Sequence, residues 1–303
     1  MHWDFFSDLA YRRSKIIDKL RDALREAAGR DFVFHGYQRV VAYRYSREPL
    51  AVEGSLLEPG GRFNIGDIDR RFPVFPALYM GEDKATAMQE VLCTPTGKGD
   101  GKTDLDYALT NPESVLVVSV SGRLESVIDL SKPDRLARFL GLIKDFDVPK
   151  GVLRTASKHK IPLDVVRSVD GLTRAILNPN WREWPMLFDV PASPQIFGQL
   201  VMDAGIEGIV YPSRYGAKTC LAVYPQNFRE TGSYVELDHQ PPVPLRWRKL
   251  DSSTWHEVAC AEVPVASAGE LRTLLPGSAV QELMVRIRSL RVVRWLLGGR
   301  SDN

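Results

Sequence analysis

The order in which β-branched runs and helical periodicities follow one another constrains the fold of this chain more than any other feature. Residues 37–46 (Tyr37-Gln38-Arg39-Val40-Val41-Ala42-Tyr43-Arg44-Tyr45-Ser46) are aromatic and β-branched, which predicts a strand. Glu48 to Arg71 is interrupted by Gly and Pro and reads as loop. Ala77-Leu78-Tyr79-Met80 predicts a short strand, and Lys84 to Leu92 a helix with Ala85, Met88, Val91 and Leu92 on one face. Ser114 to Val120 predicts a further strand, and 133–143 and 193–204 further helices. Gly208 to Tyr211 and Cys220 to Tyr224 predict two strands joined by a polar turn. Helices do not alternate one-for-one with strands, as a doubly wound parallel sheet requires, so the class is α+β.

The flanks read differently. Residues 8–28 carry Leu9, Ile16, Ile17, Leu20 and Leu24 at helical spacing, with Gly29 as a stop, which predicts one helix. Pro241-Pro242-Val243-Pro244 is the clearest linker. Beyond it, residues 255–260 suggest one more strand. Residues 280–295 suggest an amphipathic helix with Arg286, Arg288, Arg291 and Arg294 beside its apolar face, suited to packing on the main domain or on a partner.

Composition removes several function classes. A formal charge of +2 leaves no basic stripe of the kind a nucleic-acid binder presents. Three widely spaced cysteines make neither a disulfide framework nor a metal knuckle, and they fit a reducing cytoplasm. No apolar run reaches the ~18 residues of a membrane span. The first residues lack the basic and apolar regions of a secretory signal, so synthesis and action are expected in the cytoplasm, or in another cell's cytoplasm after delivery without such a signal. Familiar motifs are missing too. The glycines of Gly97-Lys98-Gly99-Asp100-Gly101-Lys102 lack phosphate-loop spacing and read, within 95–103, as a polar loop. No GxGxxG follows a strand, no HExxH places a zinc, and Ser213 is not in a GxSxG elbow, so neither metal nor bound cofactor is expected.

Three segments retain chemistry. Gly60-Gly61-Arg62-Phe63-Asn64 is a glycine-flanked arginine; glycines admit a ligand close to the backbone, and a guanidinium matches phosphate oxygens bidentately. Glu90 sits between Met88 and Val91, a carboxylate beside an apolar helix face. Gly208-Ile209-Val210-Tyr211-Pro212-Ser213 is a strand that ends on a hydroxyl.

The succession of an arginine on the first strand, the Gly-Gly-Arg-Phe-Asn segment, Leu78-Tyr79, Ala87-Met88-Gln89-Glu90-Val91 and Pro212-Ser213 resembles the RES domain family, from about Tyr37 to Phe228. The resemblance implies an ADP-ribosyltransferase-like fold, with split mixed and antiparallel sheets among helices. It divides the chain into a helical extension (1–36), a catalytic domain (37–235) and a C-terminal extension (236–303). It implies a toxin that cleaves the nicotinamide–ribose bond of NAD+ as glycohydrolase or phosphorylase. A mono-ADP-ribosyltransferase with a protein target, or a nucleotide-binding module without turnover, is the alternative. Carried over, Glu90, Arg44 and Ser213 become catalytic residues, and Arg62, Tyr79, Asn64 and Gly61 line the NAD+ site. Arg39 is the alternative to Arg44 as the family's first arginine. NAD+ is substrate, and the implied partner is an antitoxin (Xre-like) or an immunity protein; an oligomer stays open. The chain departs from the family in a longer connection between Asn64 and Tyr79 and in extra sequence at both ends.

Overall fold

The computed structural model describes residues 2–92, 115–148, 150–158, 165–241 and 244–259. The expected loop at 95–103, part of the linker (Pro242 and Val243) and the expected helix at 280–295 lie outside them. In chain order the elements are α1 (His2–Lys15), α2 (Ile17–Ala27), β1 (Gly29–Ala42), β2 (Leu78–Gly81), α3 (Lys84–Leu92), β3 (Val115–Asp129) and α4 (Ala137–Ile143). There follow α5 (Lys150–Lys158), α6 (Val169–Ile176), α7 (Glu183–Phe188), α8 (Ser193–Asp203), β4 (Gly208–Pro212), β5 (Thr219–Val223), β6 (Tyr234–Leu237), β7 (Lys249–Leu250) and α9 (Trp255–Ala259). Helix α5 belongs to a separate unit (Met1, Val148–Leu163 and Glu262–Asn303). Every other element belongs to the unit formed by His2–Asp147 and Asp164–Ala261.

The class is α+β, and the strand pairing closes on itself. β1 runs antiparallel to β3 from Gly29 opposite Val127 to Ala42 opposite Val115. On its other side β1 meets β2, Gln38 opposite Gly81. β2 pairs antiparallel with β5, β5 antiparallel with β4, and β4 returns parallel to β3 over Val127–Asp129. These five strands form a ring, which leaves few open edges. β6 takes the adjoining stretch of β3, and β7 extends it.

The period-two alternation of β4 and β5 serves two cores. Ile209, Tyr211, Cys220 and Ala222 face a cluster built from α2, α4, α6 and α8, with Leu24, Phe139, Leu172 and Val201 among its members. Val210, Leu221 and Val223 face a second cluster with Leu78, Val120, Leu124, Val235 and Leu250. Strands buried on both faces are apolar throughout, which is why both were legible as runs.

Several elements differ from the sequence expectation. The first strand begins at Gly29 rather than Tyr37 and stops at Ala42; Tyr43–Tyr45 is a single 3-10 turn. A register shift between Phe34 and Tyr37 breaks its alternation, so its first half carries no clean pattern. The helix expected over 8–28 is two, interrupted at Ile16, whose φ of −126° is not helical. Residues 255–259 are helix, not strand: Asp251 accepts from the N–H of Trp255 at 2.9 Å, and Glu257 accepts from Trp247 Nε1 at 2.8 Å. β6 and β7 continue the sheet over Tyr234–Leu237 and Lys249–Leu250.

Candidate active site

The Gly60–Asn64 loop is built around its own polar groups. Asn64 is fully buried, and its Oδ1 accepts from the Gly61 N–H at 2.8 Å and from the Tyr79 hydroxyl at 2.9 Å. Its Nδ2 donates to the carbonyls of Ser55 at 2.6 Å and Phe75 at 3.0 Å. Tyr79, brought to the loop by β2, accepts in turn from the Phe63 N–H at 2.9 Å. A Cβ at Gly61 would collide with the Tyr79 ring, and Gly60 has a φ of +86°, so both glycines are required by the turn. Asn64, expected to touch NAD+, thus spends all its hydrogen-bonding capacity inside the loop. Burial raises the Tyr79 hydroxyl well above its ordinary pKa, and the bonds to Phe63 and Asn64 and the charges of Arg62 and Arg182 only partly offset this. It stays protonated, as donor to Asn64.

A residue outside the sequence expectation locks this loop to α8. Gln195 is fully buried, and its Nε2 lies within hydrogen-bond reach of the carbonyls of Pro59 (2.7 Å), Asn64 (3.1 Å) and Gly61 (3.2 Å). One helical turn on, Gly198 lets the backbone of Phe63 approach so closely that a Cβ would strike its carbonyl. A buried glutamine followed three positions later by glycine was the available signal.

Glu90 and Ser213, 123 positions apart, are in contact. The Ser213 hydroxyl donates to Glu90 Oε1 at 2.7 Å, and the Arg214 N–H reaches the same oxygen at 3.2 Å. Tyr215 N–H donates to Ser213 Oγ at 3.1 Å, which directs the serine proton at the glutamate. Ser213 is buried and Glu90 half-buried on α3. Among the described residues both donors fall on Oε1, so Oε2 is the oxygen left to a ligand. Behind them Cys220 is buried, and burial first, then the Glu90 charge, pushes its thiol up to about 12; it is a neutral packing group.

The three expected arginines take different positions. Arg62 is half-buried, 5.9 Å from the centroid of the Tyr211 ring, with a long 3.5 Å contact from Nη1 to the Asn178 carbonyl. Arg39 on β1 donates to the carbonyls of Pro49 (2.8 Å), Tyr79 (3.0 Å) and Ala51 (2.6 Å). Burial lowers its pKa to about 10, opposed by the charge of Glu53, and its guanidinium is committed to the backbone. Arg44 is exposed on the 3-10 turn, 5.2 Å from the Tyr45 ring centroid. A fourth, Arg182, was not anticipated. It precedes α7 and stacks at 4.5 Å on Trp181, a ring only 2% exposed. The residue is exposed overall, but the desolvation of its guanidinium first, then the charge of Arg62, lowers its pKa, while Tyr215, Tyr79 and Glu90 oppose the shift.

Glu90, Ser213, Arg62 and Tyr79 are therefore brought into one neighbourhood, around Tyr211 and Arg182, by β2, α3, the end of β4 and a glycine loop. The model of the RES domain matches residues 37–248. This chain belongs to the RES domain family. The match includes Arg39, Arg44, the glycine loop, Glu90, Ser213 and the whole segment around Arg182. Among solved structures, the chain is similar to one titled "Crystal structure of the M.tuberculosis MbcT-MbcA toxin-antitoxin complex", at 16% identity and a TM-score of 0.44, covering 80% of this chain and 97% of that one. No curated protein matches. Among the described residues of this RES protein, no helix is long and apolar enough to cross a membrane, and no cluster of His, Cys, Asp or Glu could hold a metal ion.

Proposed function

We propose that this RES domain cleaves the bond between nicotinamide and ribose in NAD+, acting as a toxin in the cytoplasm whose cleft a partner protein covers. The observation that carries the reading is the Ser213–Glu90 hydrogen bond of 2.7 Å, which fixes a carboxylate beside a tyrosine and a glycine-flanked arginine. NAD+ offers matching chemistry: a diphosphate, a cationic pyridinium and ribose hydroxyls. Arg62 takes the phosphates, with Arg44 reaching them from the surface. The Tyr79 ring lies against the nicotinamide or its ribose.

Glu90 Oε2 accepts a hydrogen bond from the ribose 2′-hydroxyl, and its charge faces the carbon that becomes cationic. As the glycosidic bond lengthens, its electron pair leaves with nicotinamide, which becomes neutral. The ribose develops oxocarbenium character, and a preorganised carboxylate contributes about 3 kcal/mol to stabilising it. No strong general acid is needed, because the leaving group departs uncharged. The cation is captured by water with loss of a proton, by phosphate, or by a protein nucleophile.

Purified protein incubated with NAD+ should release free nicotinamide, measured by chromatography. Glu90→Gln should fold normally and lose at least about a hundredfold in rate, as for removal of one preorganised electrostatic contact. The co-product separates hydrolysis (ADP-ribose), phosphorolysis (its 1″-phosphate) and transfer (a modified protein). Equal turnover by a folded Glu90→Gln variant removes Glu90 from the mechanism. Absence of release with water, phosphate or lysate present refutes the activity.

A further inference from the structure

Arginines gather at the turn that precedes α7. The segment Asn178–Arg182 has its Asn178 carbonyl 3.5 Å from Arg62 Nη1 and its Pro179 carbonyl 3.4 Å from Arg214 Nη1. Among the described residues, Arg62, Arg182 and Arg214 form no ion pair; Arg62 and Arg214 instead reach backbone carbonyls of this turn, and Arg182 lies on Trp181. Glu90 is the carboxylate that acts on Arg182. The two guanidinium charges of Arg62 and Arg182 match the two negative charges of a diphosphate diester.

Arg182 is also placed rigidly. Its guanidinium lies on the buried Trp181 ring at 4.5 Å. The turn that carries it is closed by the Asn180 N–H on Asn178 Oδ1 at 2.8 Å and the Glu183 N–H on the Asn180 carbonyl at 3.0 Å. Its own carbonyl accepts from the Met186 N–H at 3.1 Å, the first bond of α7. Holding a stacked, pre-oriented guanidinium close enough to Arg62 to feel its charge costs free energy unless an anion lies between them.

We propose that Arg182 is a second binding residue of the cleft, forming with Arg62 a two-guanidinium clamp for the diphosphate of a dinucleotide. The proposal rests on the NAD+ reading for the identity of that dinucleotide, and its test separates the two. ADP-ribose binding to the full chain is measured by calorimetry, with adenosine as a ligand lacking phosphate. Turnover is measured with NAD+ and with nicotinamide riboside, which has the scissile bond and no diphosphate.

Arg182→Ala should weaken ADP-ribose binding about tenfold or more, the effect of losing a charge-assisted bidentate contact, and leave adenosine binding unchanged. Arg182→Lys should recover part of it. For NAD+, KM should rise with kcat within twofold, and nicotinamide riboside turnover should stay unchanged. Circular dichroism confirms that each variant is folded, and Arg182→Glu, a pure charge reversal, should abolish ADP-ribose binding if Arg182→Ala proves unstable. ADP-ribose affinity unchanged in Arg182→Ala, no ADP-ribose binding by the full chain, or equal loss of turnover for NAD+ and nicotinamide riboside would each overturn the clamp. Arg182-dependent ADP-ribose binding without nicotinamide release leaves the clamp standing and refutes the activity instead.

Discussion

Replacing Asn64 tests whether the arginine loop is held by the hydrogen bonds that the structure assigns to it. Asn64→Ala removes four contacts, to Gly61, Tyr79, Ser55 and Phe75, between 2.6 and 3.0 Å long. The residue is fully buried, so water does not readily replace the lost partners. Each buried polar group left unsatisfied costs about 1–3 kcal/mol. The Tyr79 hydroxyl keeps its Phe63 partner and the loop relaxes in part, so a total of about 3–5 kcal/mol is expected from the remaining three groups. Asn64→Asp should cost a similar amount, because it sets a carboxylate oxygen against two carbonyls. Tyr79→Phe, which strands the Phe63 N–H, should cost about 1–2 kcal/mol. The assay is urea unfolding, read as a shift in midpoint at constant slope. In the double variant the losses should fall short of their sum by about 1 kcal/mol, because the two side chains share a hydrogen bond. Stability of Asn64→Ala within ~1 kcal/mol of the natural chain, or strict additivity with Tyr79→Phe, would refute the account of this loop.

Ser213→Ala removes the donor to Glu90 and the acceptor for the Tyr215 N–H; NAD+ turnover should fall about tenfold to a hundredfold with a thermal midpoint only a few degrees lower, and an unchanged kcat would show that Ser213 does not set the carboxylate. Arg39→Met should destabilise by about 3 kcal/mol, since three carbonyls lose a charged donor. Arg44→Ala, on the surface, should leave stability unchanged and raise KM for NAD+; the reverse pattern would exchange the two arginines' roles. Burial raises the Cys220 pKa to about 12, so near pH 8 the thiolate that reacts is scarce and the sulfur is covered. With Cys93 and Cys260 replaced by serine, iodoacetamide should label the chain only in denaturant, and rapid labelling of the folded protein would place Cys220 at the surface.

The two strands buried on both faces, β4 and β5, were readable as apolar runs, and their ends marked Ser213. The glycine loop was readable because only glycine tolerates the φ of Gly60 and the ring beside Gly61. Only the second half of β1 was, as the strand expected from Tyr37; its first half mixes Arg30, Asp31 and His35 with Phe32, Val33 and Phe34, and the register shift before Tyr37 breaks the period that identifies a strand. The helix at Trp255 was misread on composition, aromatic and β-branched; the bonds that hold the turn there, Trp255 N–H to the Asp251 carbonyl and Trp247 Nε1 to Glu257, depend on β7 and Trp247 before it rather than on propensity over five residues. Ring closure was beyond local pattern altogether, since it depends on β3 holding β1 on one edge and β4 and β6 on the other.

The same distinction explains which site residues the sequence revealed. Tyr79, Glu90 and Ser213 lie on or beside regular elements, where spacing carries information, and Arg62 is marked by the two glycines before it. Arg182 lies in Asn178-Pro179-Asn180-Trp181-Arg182, a connection whose polar composition gives no periodic signal. Its one distinguishing feature is Trp181, a large apolar ring in an otherwise polar turn and buried in the fold. Burying that indole stabilises the turn by several kcal/mol of transfer free energy, about 25 cal/mol per Å2 over its surface. That anchoring is what turns a mobile surface arginine into a guanidinium of fixed direction. A Trp181→Ala variant should therefore reproduce the ADP-ribose defect of Arg182→Ala while leaving the charge in place; retained affinity would mean that Arg182 finds the anion without its platform.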